Sequence, residues 1–207
     1  MAQDEERGWV AAGGDTLCLD FANTRSWRGS PDPSEGLKDI KDLLAWCQAT
    51  ATAPAGAVAA LAERWHRSPE EGQAVLEGAI TLRETIYRIF VAIADGGAEP
   101  RAELDILNQV LAAAPSRREL VPLPTGYGWR IAVPVPSALA CLAPVLWSAA
   151  DLLVGPRRQR IRYCANEACR WLFLDDSKSG NRRWCSMSAC GNRAKAHRHY
   201  LKKKEAS

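Results

Sequence analysis

Long hydrophobic runs are missing from this 207-residue sequence, although 47% of its residues are hydrophobic. No run reaches the roughly 18 apolar residues that indicate a membrane-spanning helix. The most apolar stretch, residues 138–150, is interrupted by Pro144 and followed by Asp151. The first six residues include three acids, where a secretory signal would carry bases. We therefore expect a cytoplasmic protein with no membrane partner, long enough for one ordinary domain and a small appendage.

Recognisable catalytic motifs are also missing. The sequence has no glycine-rich phosphate loop and no paired-histidine motif, and His66 is the only histidine before residue 156. We expect no enzyme, because no set of acid, base and nucleophile stands out. Four polar residues beside Trp27 are candidates for a ligand pocket, and the alternative is that they form hydrogen bonds at helix ends; they are Asp20, Asn23, Thr24 and Arg28.

Seven cysteines are present, and only four of them are regularly spaced. The other three have apolar neighbours, which predicts that they are buried in the core; they are Cys18, Cys47 and Cys141. The regular set consists of two pairs, each with four residues between its cysteines, and fifteen residues separate the pairs. This arrangement is typical of a structural zinc site. The predicted ligands are Cys164, Cys169, Cys185 and Cys190.

The predicted cofactor is one zinc ion per chain. A closed set of four thiolates leaves no open position, which argues against zinc catalysis. Trp171, Phe173 and Trp184 are expected to complete a small core, so the metal would supply much of its folding free energy. Disulfides, an iron–sulfur cluster, and replacement of one cysteine by His197 or His199 remain alternatives.

Charge is distributed unevenly along the chain. Residues 156–207 contain fourteen basic and four acidic residues, a formal balance of +10. Because the whole chain carries +3, residues 1–155 carry −7. This segregation predicts two different roles, with the basic end facing a polyanion.

The fold class predicted is a mainly α N-terminal domain with one β-hairpin, followed by a small α+β, treble-clef-like zinc finger. Apolar residues at helical spacing recur up to residue 114, and the turn of the hairpin is expected at residues 124–128. The last helix of the N-terminal domain should end at Gly155-Pro156. We place the domain boundary there, giving domains 1–155 and 156–207, and we expect the first to have a self-contained core.

Two motifs resemble a known family. The residues Cys190-Gly191-Asn192-Arg193 match the motif that names the CGNR zinc fingers. The segment from Leu17 to Thr24, after Gly13-Gly14-Asp15, resembles the start of the ABATE domain that usually precedes them. Together the two resemblances cover nearly the whole chain. They imply a bacterial stress-induced transcription regulator whose finger binds DNA.

The last helix should direct Cys190, Ala194, His197 and Leu201 towards the zinc core and its basic residues outwards. A basic helix of this kind can lie in the major groove of duplex DNA. The candidate DNA-binding residues are Arg182, Arg183, Arg193, Lys195, Arg198, His199, Lys202 and Lys203. Arg193 could equally pair with Asp175 or Asp176, Asn192 could cap the helix, and Tyr200 is expected in the core.

These observations favour a DNA-binding transcription regulator, with an N-terminal domain that senses a ligand or dimerises. The expected partners are duplex DNA, a second copy of the chain and an unidentified small-molecule effector. The alternative is a zinc module that docks onto protein or RNA without DNA specificity. An enzyme in the N-terminal domain is the weakest of the three interpretations.

Overall fold

The computed structural model describes residues 9–11, 14, 16–97, 100–124, 126–133 and 135–205, and for residues 197–199, 201, 202 and 205 only the backbone. Most of these residues are helical, and the strands form three small antiparallel sheets. The predicted fold class, helical first and α+β around the cysteines, is confirmed. In the described part of the chain, no helix is both long enough and apolar enough to span a membrane.

Six helices form the first three-quarters of the chain, and the last of them ends directly before Gly155-Pro156, as predicted. They are α1 (Leu17–Ala22), α2 (Ile40–Ala49), α3 (Ala55–Arg67), α4 (Pro69–Ala94), α5 (Arg101–Ala113) and α6 (Ala138–Val154). Pro69 occupies the first turn of α4, where its missing N–H has no cost. Asp39, which the sequence analysis did not single out, caps α2 by accepting from the N–H groups of Lys41 and Asp42.

The predicted hairpin consists of β4 (Leu120–Leu123) and β5 (Gly126–Ile131). Its turn is shorter than expected, because Leu123 pairs directly with Gly126. An additional strand, β1 (Trp9–Ala11), pairs with the other edge of β5. The hairpin is therefore part of a three-stranded sheet with the order β1-β5-β4.

A short ribbon lies between α1 and α2. Its strands, β2 (Arg25–Ser26) and β3 (Ser34–Glu35), pair antiparallel. Between them the chain turns at Trp27, whose φ of 53° is uncommon for a residue with a large side chain. Both the Trp27 indole and the Gly29 backbone contact the cysteine-containing segment. The ribbon is therefore one of the elements that join the two parts of the chain.

The longest helix, α4, contains a charge in its buried face. Arg83 is only 1% exposed, yet it donates to both carboxylate oxygens of Glu35, at 2.5 and 2.7 Å, and to Glu84 at 3.0 Å. Burial acts to raise the pKa of Glu35, but the Arg83 guanidinium holds it below its usual value. The ribbon is thereby fixed to α4 by a buried ion pair.

The C-terminal segment begins with a 3-10 turn, Pro156–Arg160, directly after α6. Strands β6 (Ile161–Tyr163) and β7 (Leu172–Leu174) then pair antiparallel. A π-helical turn, Met187–Gly191, leads into the last helix, α7 (Asn192–Glu205). This order of hairpin, turn and helix positions all four regularly spaced cysteines.

The hydrophobic core is continuous across Gly155-Pro156. Ile161, Leu172 and Leu174 are each no more than 5% exposed and belong to the same buried cluster as the helices. The expectation that residues 1–155 have a self-contained core is therefore wrong. The β6–β7 hairpin closes the core by packing on α1 and α4, because its short strands can bury both of their faces only against another element.

Candidate metal centre and nucleic-acid interface

The sulfur atoms of Cys164, Cys169, Cys185 and Cys190 all lie within 4.8 Å of one another. Cys164 directly follows β6, and Cys190 lies in the π-helical turn before α7. The Sγ atoms of Cys169 and Cys185 are 3.8 Å apart. Around a metal with bonds of about 2.3 Å, the edge of a sulfur tetrahedron is about 3.8 Å. The four side chains therefore fit a zinc ion.

The loop between the first two ligands is held in place by Asn166. Its side-chain oxygen accepts from the Ala168 N–H at 3.1 Å, and its amide donates to the Cys190 sulfur at 3.5 Å. The Cys169 N–H donates to the Asn166 carbonyl, which tightens the same turn. Such hydrogen bonds orient the ligands before the metal binds.

The four cysteines can all be ionised at once only beside a cation. Burial, together with the negative charge of Cys164, raises the pKa of Cys185 to about 11 and raises that of Cys169 further. Four thiolates at this spacing repel one another, whereas a zinc dication stabilises all four in the charged form. The site accordingly holds one zinc ion per chain, as the spacing predicts.

The three remaining cysteines are buried in the helical core, as predicted, and none of the seven cysteines forms a disulfide. Burial raises the pKa of Cys18 to about 12, that of Cys47 to about 11 and that of Cys141 to about 12. These thiols are therefore unreactive packing groups. The side chains of His197 and His199, considered as alternative ligands, lie outside the described residues.

The small core around the metal site includes a residue from the N-terminal domain. Trp27 packs against the cysteine cluster together with Trp184. Trp171, predicted to fill this core, is instead 37% exposed. Phe173 is buried but is not among the side chains that pack on the cysteines, whereas Trp184 is, as predicted. The finger therefore depends on the β2–β3 turn for part of its packing.

Arg182 and Asp175 stabilise the loop between the two cysteine pairs. The Arg182 guanidinium donates to the carbonyl groups of Trp184 and Cys185 and lies 4.5 Å from the centroid of the Phe173 ring. Asp175 is buried and accepts from Ser177 and from the Arg182 N–H, and the Ser177 hydroxyl holds its pKa below the usual value. Arg182, a predicted DNA contact, is thus occupied within the finger.

Arg193 of the CGNR sequence stacks on the Trp27 indole, with 4.6 Å between its guanidinium carbon and the ring centroid. The alternative pairing of Arg193 is not formed, since Asp176 pairs with Arg157 and Asp175 accepts from Ser177 and Arg182. Asn192 does not cap the helix either. Ser186 caps the π-helical turn that leads into α7, because its hydroxyl accepts from the Ala189 N–H.

The four predicted pocket residues have different surroundings. Asp20 is exposed on α1, and the Thr24 hydroxyl donates to the Phe21 carbonyl at the end of that helix. Arg28 pairs with Glu84 and lies 3.8 Å from the Tyr87 ring centroid. Asn23 is 4% exposed and both donates to and accepts from the Leu172 backbone, at 2.9 and 3.0 Å.

Of these four residues, Asn23 joins the helical domain to the finger, and Tyr87 and Gly29 make further contacts between the two parts. The Tyr87 hydroxyl donates to the Arg170 carbonyl, and the Gly29 N–H donates to the Ala168 carbonyl. A Cβ atom at Gly29 would lie 1.8 Å from the Glu167 carbonyl oxygen, so only glycine fits this approach. Sequence reasoning missed this role, because the partners are distant in the sequence.

Helix α7 packs mainly against the π-helical turn that precedes it. It contains six lysine and arginine residues and one glutamate, a formal charge of +5. Lys195, Lys203 and Lys204 are exposed, whereas Ala194 is half-buried on the zinc side. Tyr200, expected in the core, is 63% exposed. The side chains of Arg198, His199 and Lys202 lie outside the described residues.

The geometry defines a zinc-finger protein in which a site of four cysteines anchors a basic helix. Two family models match the chain: ABATE, described as "putative stress-induced transcription regulator", over residues 15–156, and the CGNR zinc finger over residues 160–203. The chain belongs to the ABATE family and ends in a CGNR zinc finger. No curated protein matches the sequence.

Proposed function

We propose that the protein is a DNA-binding transcription regulator whose finger contacts duplex DNA through α7. The observation that carries the proposal is the position of this helix. Its first turn is fixed by Cys190 and Arg193, and the whole helix carries a formal charge of +5. A fixed helix with an exposed basic surface suits the phosphates and base edges of the major groove.

The contacts divide into two groups. Lys195, Lys203 and Lys204 are exposed and suit phosphate contacts, which position the protein without reading sequence. Arg183 lies 5.3 Å from the Trp184 ring and can extend the same surface. Arg198 is the candidate for reading a base, with His199 and Lys202 beside it in the helix. Arg182 and Arg193 act on DNA indirectly, because they hold the finger together.

The chain acts by binding and not by catalysis. A zinc ion with four cysteine ligands has no open coordination position for a substrate. In the part of the chain that the structure describes, the four cysteines are the only cluster of three or more metal-ligating side chains. Docking of the finger onto RNA or another protein is the alternative, and the same experiment decides between them.

The test is to select preferred duplexes from random DNA with zinc-loaded protein, and then to measure affinity over a range of salt concentrations. Lys195→Ala and Lys204→Ala should weaken binding to all duplexes alike. Each should also reduce the slope of log affinity against log salt concentration by about one unit. Lys41→Ala, an exposed lysine on α2, is the control and should change neither.

Arg198→Ala should reduce the binding free energy by about 1–3 kcal/mol, mainly for the selected DNA sequence. A uniform loss would make Arg198 a phosphate contact. If the zinc-loaded protein bound no duplex at low salt, the proposal would fail and the RNA- or protein-docking function would replace it.

A further inference from the structure

A cleft of about 260 Å³ lies between β5 and α6, away from the residues considered above for ligand binding. Aromatic rings of Tyr127, Trp129 and Trp147 line it. The remaining wall includes a charged pair, Arg117 and Asp151. Aromatic faces next to a carboxylate are a combination that proteins use for recognising organic cations.

Arg117 occupies part of this cleft. Its two terminal nitrogens donate to the two carboxylate oxygens of Asp151, at 2.5 and 2.7 Å. Its guanidinium carbon lies 5.4 Å from the Trp129 ring centroid and 5.7 Å from that of Trp147. A planar organic cation is therefore held between two indoles and a carboxylate, which shows the chemistry that the cleft accommodates.

The Arg117 side chain is the replaceable part of this arrangement. It belongs to the irregular segment between α5 and β4, whereas both indoles and Asp151 are fixed in β5 and α6. The ion pair is partly open to solvent, with side-chain exposures of 29% for Arg117 and 56% for Asp151. A competing cation can therefore reach Asp151 from solvent and take the place of the guanidinium.

We propose that this cleft binds a small organic cation of the guanidinium or quaternary ammonium class, in the place of the Arg117 side chain. Asp151 neutralises the ligand, and the faces of Trp129, Trp147 and Tyr127 surround its apolar surface. The formal charge of −7 on residues 1–155 favours the approach of a cation. An organic acid would instead need to replace Asp151, whose backbone is fixed within α6.

The test is isothermal calorimetry of the zinc-loaded full chain with tetramethylammonium and methylguanidinium, against sodium chloride of equal ionic strength. Arg117→Ala removes the tethered competitor and should tighten binding of either cation roughly fivefold. Asp151→Asn should weaken it roughly tenfold, because the carboxylate is then missing. Arg88→Ala removes an exposed arginine that pairs with Glu103 on α4 and α5, and it should leave binding unchanged.

The direction of the Arg117 effect decides the proposal. Weaker cation binding in Arg117→Ala, or no binding in both this variant and the unmodified protein, would overturn it. So would binding of benzoate that disappears in Arg117→Ala, since the cleft would then be a carboxylate site. Arg117→Gln replaces the alanine variant if that variant does not fold. The measurement contains no DNA, so its result is independent of the proposed DNA binding.

Discussion

The Trp27 indole and the Arg193 guanidinium, which belong to opposite ends of the chain, stack with 4.6 Å between ring centroid and guanidinium carbon. Trp27 also packs against the zinc cysteines. One aromatic side chain of the helical domain therefore fixes both the metal site and the first turn of α7. We expect this contact to contribute measurably to the stability of the finger.

A double-mutant cycle measures the contribution. Trp27→Leu and Arg193→Ala should be coupled by about 0.5–1 kcal/mol in the unfolding free energy of the zinc-loaded protein. Arg183→Ala is the matched control, because Arg183 stacks on Trp184 and not on Trp27. Its coupling to Trp27→Leu should be close to zero, and equal coupling of both arginines would contradict the specific contact.

Removing zinc should destabilise the whole chain and not the finger alone. Cys164→Ser and Cys190→Ser each break a closed four-ligand site, so elemental analysis should find the zinc lost. Because the β6–β7 hairpin shares the core of the helices, circular dichroism should show one unfolding transition, at a lower temperature without metal.

Cys47→Ala is the control for this experiment, since Cys47 is buried in the helical core. It should keep one zinc ion per chain despite some loss of stability. Two separate transitions, of which only one responds to the metal, would show that the domains unfold independently.

Asn23→Ala should destabilise the protein by about 2–4 kcal/mol, because the buried N–H and C=O groups of Leu172 both lose their partner. Asn192→Ala is the comparison, as Asn192 is exposed and makes one long hydrogen bond of 3.4 Å. Denaturant titration of the zinc-loaded variants measures both. If both substitutions changed the unfolding free energy by the same small amount, the Asn23 contact would contribute nothing to stability.

Arg83→Met should cost about 3–5 kcal/mol, because Glu35 and Glu84 lose a buried partner. Arg88→Met on the same helix breaks only an exposed pair and should cost less than about 1 kcal/mol. Burial acts to raise the pKa of Glu84, but Arg28 and Arg83 hold it below its usual value, as Arg83 does for Glu35.

The sign of the pH dependence follows from these lowered pKa values. The ionised carboxylates stabilise the folded state above the unfolded-state value of 4.5, and this stabilisation disappears as the pH falls through the folded-state values. The difference between the unmodified protein and Arg83→Met should therefore narrow below pH 4.5. Comparing the two proteins cancels the effect of acid on the zinc site.

Local signals in the sequence predict the helices and the metal ligands well. Pro69 starts α4 and Gly155-Pro156 follows α6, because each residue acts on the backbone where it stands. The zinc ligands follow from spacing, since a short loop must bring each cysteine pair to one metal. These features depend on neighbours in the chain, so they can be read without the fold.

The contacts between distant segments could not be predicted from local sequence patterns. Strand β1 pairs with β5 across most of the helical domain, and its three residues carry no local pattern that indicates the partner. Asn23 looks like a ligand-binding residue until Leu172 is placed beside it. The burial of Arg83 could have been predicted from the sequence, because the residue lies three positions before Ile86, on the apolar face of α4.

The close approach of Gly29 to Glu167 has a consequence for protein engineering. A CGNR finger of this kind cannot be transferred alone to another protein, because its packing depends on the helical domain. That domain supplies the Trp27 ring, the Asn23 amide and a glycine at position 29. Grafting residues 156–207 onto another protein would transfer the cysteines without the surface that orients α7. A functional chimera would have to include the 23–29 segment and the helices that hold it.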